Sequence, residues 1–239
     1  MKKSRSIGIL GGMGPEATLY LFNLIIKNTP ADKDQEHIPV IIYNNPLIPD
    51  RTMHIVYNEE SPIALLIEGA QHLERAGADM ILIACNTAHY YIKEIEPHIS
   101  IPVLDMIALT SESIFRSYGK KNVSGGIKAG ILATTGTINT SLYQRSLLEH
   151  NIEPVLLTSE EQQELLMEAV YGKRGIKAGY KRAPKQLLVM ASQLLAQRGA
   201  DVIIAGCTEI PIVLRQQDIG PELINSMEIL AKEAVKRAK

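Results

Sequence analysis

Short, continuously apolar runs alternate along the chain with longer runs whose apolar residues return every three or four positions. The short runs are Ser6–Leu10, Val40–Tyr43, Met80–Ala84 and Val103–Asp105, then Lys128–Leu132, Glu153–Leu157 and Val202–Ala205. Bounded by turn residues and apolar on successive positions, they predict strands buried on both faces of a parallel sheet. Helical periodicity lies near Pro15–Lys27, Pro62–Ala76, Thr140–His150, Glu160–Tyr171 and Ala183–Gln197. Such alternation predicts an α/β fold of parallel sheets joined by right-handed crossovers.

The pattern is written twice. Ile7-Gly-Ile-Leu-Gly-Gly-Met-Gly14 corresponds to Ala129-Gly-Ile-Leu-Ala-Thr-Thr-Gly136. Gly8 and Gly130, Gly14 and Gly136, Gly77 and Gly199, and Cys85 and Cys207 all share one offset of 122 positions. Identity outside these blocks is poor, so the likeness is architectural. It predicts two pseudo-symmetric domains, each a mainly parallel sheet flanked by helices. The first would comprise residues 1–110 and 215–239, with Cys85, and the second residues 111–214, with Cys207. The last segment, Glu222–Lys239, starts apolar and continues as a helix. It has no counterpart in a simple tandem layout and reads as a return to the first half. Lys120–Gly126 reads as a surface turn.

Charge narrows the function. Lys+Arg number 25 and Asp+Glu 26, a net charge of -1, so no bulk positive field draws nucleic acid and any anion site must be local. No apolar stretch is long enough for a membrane span, and Met1-Lys-Lys-Ser-Arg-Ser leads directly into a strand. The expectation is a cytoplasmic protein with neither membrane nor nucleic-acid partners. The two cysteines have no zinc-ligand spacing, and a cytoplasmic setting argues against a disulfide. Inert core thiols remain an open alternative.

Each cysteine ends a near-identical phrase, Arg75-Ala-Gly-Ala-Asp-Met-Ile-Leu-Ile-Ala-Cys85 and Arg198-Gly-Ala-Asp-Val-Ile-Ile-Ala-Gly-Cys207. Parallel α/β sheets bind ligands at the carboxyl ends of their strands, where both cysteines and both glycine turns fall. The four loops are therefore expected to converge on one cleft between the domains, with the thiols face to face. That arrangement suits a metal-free, cofactor-free racemase.

The turn Gly11–Thr18 weakly fits a dinucleotide fingerprint, but the second strand ends Tyr43-Asn-Asn-Pro46 without the acid that would hold a ribose. No Gly-Lys-Ser/Thr follows either. A tight turn with Pro15 at the first helical position explains it, and its N–H groups would suit an anion. Met13, in that turn, joins the candidate substrate contacts. Asn86, Thr87 and Ala88 after one cysteine, Thr208 after the other, and Thr134 and Thr137 in the duplicate turn are either helix caps or donors for a carboxylate. Arg51 leaves the end of the second strand on a proline-stiffened loop and could grip a carboxylate bidentately. Lys177, in the basic stretch Gly172–Gly179, reads equally as a solvated loop or a lid over an anion. His89 and Glu209 could tune the thiols but read first as local pairing or capping residues.

Together, Gly-Gly-Met-Gly14-Pro-Glu-Ala-Thr18, Asn-Asn-Pro46-Leu-Ile-Pro-Asp-Arg51, Ala-Cys85-Asn-Thr-Ala-His89, Ala-Thr-Thr-Gly-Thr137 and Ala-Gly-Cys207-Thr-Glu209 resemble the aspartate/glutamate racemase family, its archaeal aspartate racemases above all. The resemblance covers essentially the whole chain. It implies a homodimer that racemises a small acidic amino acid without pyridoxal phosphate or any other cofactor. It assigns Cys85 and Cys207 as the paired acid and base and Asn86, Thr87 and Ala88 to substrate. Arg51 and Lys177 would hold the side-chain carboxylate. Asn225 stands where relatives often carry aspartate. Glutamate or broader acidic substrates, a decarboxylase or isomerase of small diacids, a non-catalytic binder and a nucleotide-dependent enzyme are the competing readings.

Overall fold

The structure, a computed structural model, describes residues 5–119 and 126–239; the turn expected at Lys120–Gly126 lies outside them save for its last residue. Among the described residues, the first sheet has strands β1 (Ile7–Gly11), β2 (Val40–Asn44), β3 (Met80–Ile83) and β4 (Val103–Leu104), in the order β2-β1-β3-β4. The second has β5 (Ile127–Leu132), β6 (Ile152–Val155), β7 (Val202–Ala205) and β8 (Glu222–Asn225), in the order β6-β5-β7-β8. Every pairing is parallel. The two sheets flanked by helices are those that the alternation predicts.

The duplication extends to single contacts. A Cβ on Gly8 would lie 2.9 Å from the Ala78 Cβ and 3.2 Å from the Leu73 Cβ; on Gly130 it would lie 3.1 Å from Ala200 and 3.0 Å from Leu195. These are equivalent positions in the two halves. Both glycines let a helix sit close on the first strand of its sheet. The helix Ile63–Arg75 buries Leu66, Gly69, Ala70 and Leu73, and the helix Arg182–Gln197 buries Leu188, Ala191, Ser192 and Leu195 at the same offset. Each spacing is one apolar helical stripe. Asp79 Oδ2 accepts from the Ser6 N–H at 2.6 Å, and Asp201 Oδ2 from the Lys128 N–H at 2.8 Å, pinning both strand starts. Gly77 and Gly199 end the helices at φ +92° and +88°, which favours glycine.

The chain divides into two units, Met1–Met106 with Met227–Lys239 and Ile107–Ser226. The expected return to the first half at residue 215 comes at Met227 instead. The strand Glu222–Asn225 pairs with β7, Ala205 opposite Asn225, and Ser226 Oγ donates to the Ala205 carbonyl at 2.9 Å. Only the following helix, Ser226–Ala238, belongs to the first unit, where Asn28 Nδ2 donates to Glu228 Oε1 at 3.1 Å. This segment has a counterpart after all. After β4, the helix Met106–Tyr118 takes the chain into the second unit as Ser226–Ala238 takes it back to the first. The periodicity missed Met106–Tyr118 because Thr110 and Ser111, both fully buried, occupy core positions and read as polar. No described helix is long and apolar enough to cross a membrane.

Candidate active site

In each four-stranded order the chain reverses direction across the sheet between the two inner strands, and their carboxyl ends form the natural crevice. In the first unit those ends lead into the Gly11–Gly14 turn and Cys85. In the second they lead into Ala133–Thr137 and Cys207. Cys85 and Cys207 each lie two residues beyond β3 or β7, both buried and both free.

In the first unit, Gly11 and Gly12 exist for packing. A Cβ on Gly11 would meet the Thr18 Oγ1 at 2.3 Å, and one on Gly12, which sits at φ +96°, would fall 2.3 Å from the Asn45 carbonyl. The Gly12 N–H donates to Thr18 Oγ1 at 2.9 Å, and that hydroxyl donates to the Gly14 carbonyl at 3.0 Å. The turn therefore folds its Gly12 N–H inward, rather than offering it to an anion, while Pro15 opens the helix Pro15–Asn28.

Arg51 starts the helix Arg51–Tyr57, capped by Asp50, whose Oδ1 accepts from the N–H groups of Thr52 and Met53 at 2.8 and 3.1 Å. Its side chain is buried, not solvated. Nη1 donates to the carbonyls of Ile48 (3.1 Å) and Pro49 (2.8 Å), and Nη2 to that of Met13 (3.2 Å). Arg51 thus ties the loop after β2 to the turn after β1. Met13, Ile48, Cys85, Ala88 and Tyr91 share one buried cluster, so four expected site residues come together in this unit: Met13, Arg51, Cys85 and Ala88. Asn86 and Thr87 are buried beside them.

Two further residues complete this side. His89 Nδ1 lies 2.8 Å from the Cys85 carbonyl oxygen, to which it donates in the matching tautomer, and its buried Nε2 has no hydrogen-bond partner among the described residues. Tyr91 OH is 2.7 Å from His54 Nδ1. Burial pushes the Tyr91 phenol well above its usual range, while Arg51 pulls it down. Sequence reasoning passed over Tyr91, whose only signal is its place six residues after a cysteine.

In the second unit, Thr134 and Thr137 are buried with hydroxyls 3.3 Å apart, at the start of the short helix Thr135–Asn139. Gln162 braces the turn, donating to the Ala133 carbonyl at 2.8 Å from a π-helical turn, Gln162–Met167. Such turns re-aim side chains and are frequent near sites. The basic stretch is an ordered 3₁₀ turn, Ile176–Ala178, anchored by buried Ile176 in the cluster that holds Cys207. Lys177 Nζ lies 5.0 Å over the Tyr171 ring and 3.8 Å from Glu209 Oε1.

Glu209 is what the sequence reading set aside. Its Oε2 accepts from both the Cys207 thiol and the Thr208 hydroxyl at 3.0 Å. The Cys207 thiol is pushed well above its ordinary range by burial first, then by the Glu209 charge, with Lys177 opposing. Lys177, Cys207 and Thr208 therefore meet at one carboxylate. The signal was the Cys-Thr-Glu spacing itself.

A model of the Asp/Glu/Hydantoin racemase family matches residues 10–234. This chain belongs to that family. The racemase is 31% identical over 235 residues to a broad specificity amino-acid racemase of Bacillus subtilis, covering 96% of each chain. In structure it is similar to the Picrophilus torridus aspartate racemase, at TM-score 0.80 and 29% identity, covering 98% of this chain and 94% of that one. It is also similar to an aspartate racemase homologue from Pyrococcus horikoshii, at TM-score 0.75 and 26% identity, covering 98% and 99%. Its reaction class is isomerisation.

Proposed function

We propose that this racemase interconverts L- and D-aspartate without a cofactor, using Cys85 and Cys207 as its two acid–base groups. The observation that carries the reading is the placement of one thiol at the same strand end in each copy of a duplicated sheet. One cysteine, as thiolate, takes the α-proton and becomes a thiol. The carbanion's charge spreads onto the α-carboxylate, and the other thiol delivers its proton to the opposite face and becomes a thiolate. Removal and return balance, so no oxidant or co-reactant is needed.

Donors must meet the charge that develops on the carboxylate. Asn86, Thr87, Ala88, Thr134 and Thr137 are the proposed set, with Thr208 contributing through its backbone N–H, since its hydroxyl donates to Glu209, and Met13 shaping the pocket floor. Lys177 would take the side-chain carboxylate, and Arg51 would hold its loop in place and add positive charge. A homodimer is part of the proposal, by analogy with the family. Aspartate is preferred because the similarity to the Picrophilus torridus aspartate racemase spans nearly the whole chain. A broad-specificity racemase is the second reading, favoured by the Bacillus subtilis relative.

Proton NMR of L-aspartate in deuterated water with reduced protein, beside chiral chromatography, tests both readings. Loss of the α-proton signal with D-aspartate rising to an equal mixture supports the first. Comparable rates with neutral amino acids favour the second, and no exchange with any amino acid overturns both.

A further inference from the structure

The duplicated thiol sites are not chemically alike. The position two residues after Cys207 is Glu209, whereas the equivalent position after Cys85 is Thr87, which carries no charge. Glu209 begins the helix Ile210–Val213, yet its side chain makes no capping bond there. Its carboxylate is turned to the sulfur instead. Oε2 takes the Cys207 Sγ–H and the Thr208 hydroxyl, and Oε1 faces Lys177. The carboxylate, the thiol and Thr208 are all buried, so water does little to screen them.

We propose that Glu209 is a positioning residue that keeps Cys207 in its thiol form, making Cys207 a resting proton donor. This rests on the assignment of both cysteines to racemisation. Two neighbouring anions repel, so a thiolate 3.0 Å from a carboxylate is disfavoured, and the thiol's proton is held by the hydrogen bond it makes. Lys177 is the opposing charge. Among the described residues of the second unit, Glu209 and Lys177 are the leading charges on this sulfur, the first raising and the second lowering its affinity for the proton. Acidity at Cys207 therefore reflects the balance of one anion on its own turn and one cation from the Ile176–Ala178 turn.

The test measures the rate of iodoacetamide alkylation at Cys207 against pH, reading the Cys207 peptide by mass spectrometry in reduced, substrate-free protein. Only the thiolate reacts, so the rate follows its population. Glu209→Gln should speed alkylation at pH 8 by about tenfold for each unit by which the thiol's pKa falls. Lys177→Met should slow it. Opposite signs are the mark of charge control, because a merely loosened fold would speed both. The alkaline limb of kcat/KM for aspartate should move in step, to lower pH in Glu209→Gln and to higher pH in Lys177→Met.

Unchanged alkylation in both variants, or changes of the same sign, would overturn the proposal. If Glu209→Gln does not fold, Glu209→Ala takes its place beside Lys177→Met, whose side chain is 27% exposed, and the same opposite signs decide. Absence of racemisation in the unaltered protein would defeat the proposed function separately, leaving the alkylation result to judge the hold of Glu209 on the thiol.

Discussion

Arg51→Lys probes what holds the first unit's site together. The guanidinium meets three carbonyls, of Ile48, Pro49 and Met13, from two different loops. A lysine ammonium has one nitrogen and cannot reproduce that fork, so at least one of these carbonyls, that of Met13 reached by Nη2, loses its partner. Each buried group left unsatisfied costs about 1–3 kcal/mol, and the side chain is 5% exposed, so screening gives little relief. A loss of about 1–3 kcal/mol follows, which for a chain of this size lowers Tm by roughly 2–12 °C. Because the sequence has no tryptophan, circular dichroism at the helix band during urea unfolding is the suitable assay. Charge is conserved in the substitution, so a fall in the urea midpoint reports the geometry of the carbonyl fork. A midpoint unchanged to within about 0.5 kcal/mol would refute the argument, since surface changes lie in that range. Arg51 would then be an anion-binding side chain and no structural tie.

Cys85→Ser and Cys207→Ser should each lower the racemisation rate by about 10²–10⁴-fold, the usual contribution of one acid–base group, as chiral chromatography would measure; near-full activity in either would end the two-thiol mechanism. Stability should fall with rising pH above about 8.5, the ordinary thiol value, because the unfolded chain then releases a proton that Cys207 retains when folded. Its raised pKa makes this contribution complete below that pH and progressively lost above it. Cys207→Ala should flatten the loss in urea midpoints between pH 8 and 10, and an identical slope would contradict the sign. Gly130→Ala should destabilise by about 1–3 kcal/mol, because its new Cβ would stand 2.7 Å from the Ile203 Cδ1 and 3.0 Å from the Leu195 Cβ; a thermal melt equal to the parent's would show that the helix can shift outward without cost.

Much of the fold was legible because strand burial is written directly in apolar runs. Seven of the eight strands lie where such runs occur, and the 122-residue offset of glycines and cysteines announced two copies of one sheet. What failed to show was whatever depends on a distant partner. β8 looked like the start of a returning segment, because only its pairing with β7 tells which sheet a four-residue strand joins. The helix Met106–Tyr118 hid behind buried hydroxyls, which find partners in the folded chain but count as polar in a pattern.

The candidate site divides along the same line. By itself the sequence determined the two thiols, their equivalent strand ends and the family, because those follow from residue type and spacing along one chain. Only the tertiary structure decided what each polar side chain touches. Arg51, expected to reach for a substrate, spends three donations on backbone carbonyls, and Thr208 gives its hydroxyl hydrogen to Glu209. Glu209, set aside as a local cap, turned out to face a thiol and a lysine 32 residues earlier in the chain. The physical reason is common to all three. Hydrogen bonds and charge pairs are fixed by direction and by distances of about 3 Å, which spacing in sequence does not encode, whereas burial needs only the right residue types in the right period.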